Sequence, residues 1–118
     1  MAGTVLADTL QDGAGNSTTM TNAIQGSAKA WVQFNGSTSA INGSYNVSSI
    51  THSSTGIWLV NFTNAMTDAN YTPVISMQYA GFFGINATAP TASAFNYTTG
   101  NSAVSLFDPT WTAVAIFR

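Results

Sequence analysis

The sequence predicts an all-β fold: an antiparallel β-sandwich, jelly-roll-like, of about seven or eight short strands with an N-terminal arm. Three observations carry this. Apolar and polar residues alternate with a two-residue period in several short runs, as side chains do on a half-buried strand. Turn signals of Gly, Asn, Asp and Pro recur about every 8–12 residues. No segment shows the longer apolar period of a helix that packs on a core. The 118 residues divide into an arm, residues 1–27, and a sandwich domain, residues 28–118.

The arm is read first. Thr4 to Leu10 (TVLADTL) suits a short strand, and Gln11 to Thr18 (QDGAGNST) is a turn cluster. Thr19 to Gly26 suits one or two helical turns, with Thr21 or Asn22 as cap and Gly26 as stop. So few apolar residues cannot form a separate core. The arm is therefore expected to dock, on its own sandwich or on a neighbouring subunit, with Val5, Leu6 and Leu10 as anchors.

In the sandwich, Ala28, Ala30, Val32 and Phe34 alternate with Lys29, Trp31, Gln33 and Asn35, and Asn35-Gly36 marks a turn. Tyr45, Val47 and Ile50 break phase once, which indicates a bulge or bend. Trp58, Val60 and Phe62 share one strand face, with Ile57, Leu59, Asn61 and Thr63 on the other. Asn64 to Asn70 is a polar crossing loop. Tyr71 to Tyr79 is a strand whose Pro73 belongs near its start or on a sheet edge. Ala80 to Pro90 reads as a Gly-flanked loop carrying Phe82, Phe83 and Ile85, placed either under the sandwich end or against a partner or receptor. Thr91 to Thr99 is a strand with Phe95 and Tyr97 in phase. After a short apolar piece, Val104 to Phe107, the run Trp111 to Phe117 is apolar at nearly every position, as a central or doubly covered strand is.

Three apolar residues oppose the core phase: Trp31, Ile57 and Leu59. Either a third layer covers them or a neighbouring subunit does, and contact between copies is the favoured expectation.

Charge excludes several functions. The chain has two cations, Lys29 and Arg118, and four acids, Asp8, Asp12, Asp68 and Asp108. Two cations cannot neutralise a run of phosphates, so no nucleic-acid footprint or polybasic membrane patch exists. No apolar run is long enough to span a bilayer, and the first residues lack a signal-peptide pattern, so synthesis without export is expected. With no Cys and one His, neither a disulfide nor a zinc site can be assembled. So few charges on so polar a sequence suggest a surface largely covered by neighbouring subunits.

Catalysis is not expected. His52 lies beside Ser53 and Ser54, and a triad can be drawn with Asp68 or Asp108, but neither serine has a nucleophile-elbow context. With four Asp and no Glu, few facing carboxyl pairs are available for glycoside hydrolysis. No cofactor motif is present. Asn-X-Ser/Thr occurs at Asn16, Asn35, Asn42, Asn46, Asn61, Asn70, Asn86 and Asn96, and these are expected to be unmodified. Tyr45, Tyr79, Tyr97 and Trp111 are candidates for stacking on sugars, although most are in phase with core positions.

The ordered motifs AKAWVQFNG, SYNVSSIT, TGIWLVNFTNAM and DANY, with AVAIFR at the end, resemble a β-rich module of tail fibre and other surface virion proteins of tailed, largely aquatic, bacteriophages. The resemblance covers Ala28 to Tyr79 well and Ala94 to Arg118 loosely. It implies a homotrimer on the virion surface, assembled in the host cytoplasm, without enzymatic activity. The family's outward positions before VNFT are usually polar. Ile57 and Leu59 depart from that, which implies an added contact surface. The arm could extend at most ~90–100 Å, too little for a fibre shaft. The role expected is decoration of the head exterior, as a cement or head-fibre protein. The arm and a side-face apolar strip would then be buried at joints between capsid subunits. The alternatives are a receptor-binding tip of a tail fibre or tail spike touching host surface glycan, and a soluble lectin-like module.

Overall fold

In the computed structural model, which describes residues 3–85 and 88–118, the central strand is the C-terminal one, Thr112–Phe117. The elements in chain order are β1 (Thr9–Gln11), β2 (Ser17–Thr19), α1 (Met20–Gly26), β3 (Ala28–Asn35), β4 (Ala40–Tyr45) and β5 (Val47–Ser54). Then follow β6 (Ile57–Phe62), β7 (Thr72–Met77), β8 (Gly81–Ile85), β9 (Ala94–Asn101) and β10 (Thr112–Phe117). Two four-stranded antiparallel sheets, β4-β3-β10-β7 and β5-β6-β9-β8, face each other, and β1 and β2 pair as a separate hairpin.

The core is made by the predicted alternation. Ala30, Val32 and Phe34 of β3 and Val114 and Ile116 of β10 meet Trp58, Val60 and Phe62 of β6 and Phe95 and Tyr97 of β9. Phe34 meets Trp58 edge-on at 5.3 Å between ring centroids, across the two sheets. β10 is central, as its composition predicts, with its second face half-covered at Ala113, Ala115 and Phe117. Pro73 sits near the start of the edge strand β7, where its missing N–H is tolerated.

Corners and turns use side-chain amides. The phase break after Tyr45 is a one-residue corner between the sheets, where Asn46 has φ 55°. Its Nδ2 donates to Lys29 O and Asn64 O at 3.1 Å each, and its Oδ1 accepts from Asn64 N at 2.8 Å. A register shift between Val47 and Ser49 follows. Asn35 Oδ1 accepts from Ser37 N at 2.9 Å and Thr38 N at 3.3 Å, which turns the chain between β3 and β4. Gly36 is needed there for close approach: a Cβ would collide with Pro109 O and press on the Trp58 ring.

Three expectations are corrected. The segment Ala80 to Pro90 is not simply a loop, because its first half is strand β8, paired to β9. Gly81 and Gly100 serve the pairing: Gly81 lies tight against Gly100 O, and the Phe82 ring occupies the space above Gly100 where a side chain would stand. Thr4 to Leu10 is strand only from Thr9, because its partner β2 has three residues and ends where Thr19 caps α1. Thr19 Oγ1, rather than Thr21 or Asn22, is the cap and accepts from Asn22 N at 3.2 Å. The chain turns at Ser102–Val104, held by Asn101 Oδ1, which accepts from Ala103 N at 2.9 Å and Ser105 N at 3.1 Å, and the apolar piece that follows is exposed at Val104 and Leu106 and half-buried at Phe107. Of this stretch, Leu106 makes only an isolated bridge to Gly100.

The arm stands away from the sandwich. Residues 3–19 are all exposed and α1 buries no residue. The radius of gyration is 16.7 Å, against about 13.5 Å for a compact chain of this length. Lys29 joins the two parts, donating from Nζ to Ser27 Oγ at 3.0 Å and also to Ile24 O.

Candidate interaction surfaces

The alternation that sends Val32 and Phe34 inward sends Trp31 outward from the β4-β3-β10-β7 sheet, where it is 42% exposed. The register places Trp31 opposite Tyr45 on one side and Ala115 on the other, and Ala115 opposite Val74. The result is an apolar row across four strands, Tyr45–Trp31–Ala115–Val74, with Tyr45 58% and Val74 54% exposed. The Trp31 ring leans over Gly43, at 3.4 Å from where a Cβ would stand. Because the middle residues are alanines, Trp31 and Val74 rise as walls of a hollow of about 230 Å³, closed further along by Gln33, Ala113 and Ser76.

Ile57 and Leu59 lie on the outer face of the other sheet and are half-buried. The expected contact residues Trp31, Ile57 and Leu59 are therefore divided between opposite faces of the sandwich, because β3 and β6 belong to different sheets. The face around Leu59 is polar: Thr51 and Asn96 flank it in register. Asn61 Nδ2 donates to Ser49 Oγ at 3.0 Å and to Thr51 Oγ1 at 3.1 Å.

The three anchors of the arm are open to solvent, with Val5 84%, Leu6 98% and Leu10 57% exposed. The hairpin below them is stiffened by Asp12, whose Oδ1 accepts from Ala14 N and Asn16 N at 2.9 Å each. Asn16 Nδ2 donates to the other carboxylate oxygen at 2.8 Å, and this bond holds the Asp12 carboxyl below its usual range.

Phe82, Phe83 and Ile85 do not share one surface. Phe83 and Ile85 pair with Thr99 and Tyr97 and take the core-side face of the edge strand β8, yet remain 48% and 51% exposed. Phe82 turns to the other face, over Gly100. Of the aromatic candidates for sugar stacking, Tyr97 is fully buried in the core, which removes it, while Tyr45, Tyr79 and Trp111 are exposed. The Asn86 sequon lies outside the described residues.

His52 and Asp108 do meet, Nε2 to Oδ1 at 3.2 Å, and the imidazole stacks on Trp58 at 4.4 Å. The same Asp108 oxygen accepts from Gly56 N at 2.6 Å, so the pair fastens the β5–β6 turn to the segment before β10. Among the described residues, no serine hydroxyl is hydrogen-bonded to His52, and no three His or Asp side chains group as a metal site.

Both cations of the chain line one hollow of about 260 Å³ at the arm end of the sandwich, with Asn46, Met66 and Thr67. Arg118 is already engaged, donating to Asp68 from Nε at 3.0 Å and from Nη2 at 2.7 Å. This fork holds the Asp68 carboxyl down at about 2.

No helix of the described residues is long and apolar enough to cross a membrane. Comparison of the chain with protein-family models, with curated proteins and with solved structures finds no match in any of the three.

Proposed function

We propose that this protein is a non-enzymatic structural component of a tailed-phage particle, a sandwich displayed on the exterior of the head and attached through its N-terminal arm. One observation carries the reading. The arm presents Val5, Leu6 and Leu10 to solvent, outside a sandwich whose own core is complete. Exposed aliphatic side chains on a charge-poor segment favour burial against a partner. The ordered motifs of residues 28–79 supply the particle context by their resemblance to surface virion modules. Capsid joints offer repeated sites, so modest contacts per copy are multiplied over the lattice. The homotrimer implied by the same resemblance belongs to this proposal.

A second reading, a fibre or spike tip that touches host glycan, draws on the edge strand β8, which exposes Phe83 and Ile85 beside the exposed Tyr79. Antibody-gold labelling of purified particles separates the two. Labels over the head support decoration. Labels confined to the tail end overturn it and direct attention to β8.

A further inference from the structure

The receiver of the arm is the question the surfaces leave open, and the outer face of the β4-β3-β10-β7 sheet supplies an answer. We infer that the segment Val5–Asp8 of one copy docks in the Trp31–Val74 groove of a second copy, with Leu6 between the two walls and Asp8 beside Lys29. The inference rests on the reading of the arm as an attachment element; it assigns Val5–Asp8 to another copy of this chain and leaves Leu10 and the β1-β2 hairpin to face the particle.

Three features of the two surfaces match. The first is chemistry. The groove is apolar, floored by Ala113 and Ala115, and the arm carries an adjacent aliphatic pair that touches nothing on its own sandwich. A sugar would find few hydrogen-bonding groups in this groove, whereas an aliphatic side chain asks for none.

The second is charge and spacing. Lys29 precedes Trp31 by two residues in β3, at a register shift against β10 that skips it, near the arm end of the strand. Asp8 follows Leu6 by the same two residues. An extended arm laid antiparallel to β3 with Leu6 at Trp31 brings Asp8 level with Lys29, one of only two cations in the chain. Lys29 uses two of its three donors on Ile24 O and Ser27 Oγ and retains the third.

The third is extent. A reciprocal exchange engages Val5–Asp8 and the groove face of each copy, about a dozen residues a side, which suits a weak, reversible pair rather than the roughly 20–30 residues per side of a standard interface. Such an exchange places the same patch on both subunits and closes on itself as a two-fold pair. Head-to-tail exchange with other angles closes a ring of three by the same contact.

The chain has no cysteine, so engineered pairs report cleanly. Full-length Leu6→Cys and Ala115→Cys variants are mixed and oxidised, and covalent dimers are read on a non-reducing denaturing gel. The mixture is expected to give at least about tenfold more dimer than either variant alone. In light scattering of the unmodified chain, Leu6→Asp is expected to weaken association roughly tenfold, because it sets a charge in an apolar groove. Asp8→Asn is expected to weaken association about twofold and to reduce its salt dependence. All these positions are exposed or half-buried on the surface, and an unchanged melting temperature verifies folding.

The inference is overturned if the mixture gives no excess dimer, or if a chain carrying both cysteines closes only within itself at high dilution. It is equally overturned if the unmodified chain is monomeric at all concentrations. Arm-deleted protein lost from particles despite failed cross-linking would leave the attachment reading standing and remove only the groove. Cross-linking without any labelling of particles would do the reverse.

Discussion

Trp58 Nε1 donates to Thr99 Oγ1 at 3.2 Å, and Thr99 Oγ1 in turn donates to Phe107 O at 2.8 Å. Trp58 and Thr99 are both completely buried, so this short relay is a polar fastening inside an apolar core, alongside the buried contact of Tyr97 OH with Thr112 Oγ1. It ties β6, β9 and the segment before β10 at one end of the sandwich. Replacing Thr99 by Val leaves the indole N–H and the Phe107 carbonyl without a partner at nearly unchanged volume. The expected loss is about 1–3 kcal/mol in urea unfolding. Thr99→Ser keeps the hydroxyl and is expected to recover most of it. Equal stability of Thr99→Val and the parent would remove the relay from the account of the core.

Asn46 combines a left-handed backbone with three side-chain hydrogen bonds at the corner between the sheets. Asn46→Ala loses both advantages and is expected to cost about 2–3 kcal/mol. Asn46→Gly restores the backbone freedom alone and is expected to be less harmful by about 1 kcal/mol. Denaturant midpoints of the two variants check the order, and Gly falling below Ala would contradict it.

The Asp68–Arg118 fork predicts an acid limb. Asp68 titrates near 2 in the folded chain against an ordinary 3.8, chiefly because Arg118 donates to its carboxylate, with Asn70 N adding a bond. A depressed folded value means that the pair's contribution is present above 3.8 and is lost as pH falls toward 2. Carboxyl NMR titration is expected to place the Asp68 midpoint near 2 and to move it up in Arg118→Gln. A midpoint near 3.8 in the parent would show that the fork does not persist in solution.

Gly81 predicts a local, not a global, effect. A Cβ there collides with the backbone oxygen of Gly100, so Gly81→Ala must push β8 off β9. Amide exchange is expected to accelerate by at least about tenfold along Gly81–Ile85, while β3 and β10 stay protected. Uniform acceleration would instead mean that β8 belongs to the same cooperative unit as the core.

The core was legible in the sequence because in/out alternation is a local property of each strand. Trp58, Val60 and Phe62 declare their face without any neighbour, and the phase break at Tyr45–Val47 marks the Asn46 corner. Strand β8 was hidden because Gly81, Gly84 and the distant Gly100 read as loop signals, while Gly81 and Gly100 serve close approach between paired strands. The surfaces were less legible still. Trp31 stood out singly, yet its groove is assembled by register across β3, β10 and β7, which no run of residues encodes. That Trp31 stands on one face of the sandwich and Ile57 and Leu59 on the other was hidden for a related reason. Each opposes its own strand's core phase, but that phase does not say which sheet the strand joins.

Removal of residues 1–27 tests the division of the chain. Residues 3–19 bury nothing, and α1 meets the sandwich through the exposed hydrogen bonds of Lys29 to Ile24 O and Ser27 Oγ. Hydrogen bonds open to water contribute little to stability, and no apolar core residue is lost with the arm. At concentrations too low for copies to associate, the melting temperature of the truncated sandwich is therefore expected to move by less than about 4 °C, roughly what 1 kcal/mol does in a domain of this size. The denaturant slope should fall only slightly, since the arm exposes little additional surface on unfolding. A collapse in melting temperature that depends on protein concentration in the parent, and vanishes in the truncated chain, would mean that the arm stabilises through a second copy. A collapse independent of concentration would mean that residues 1–27 stabilise their own sandwich, and the boundary at Ala28 would have to move.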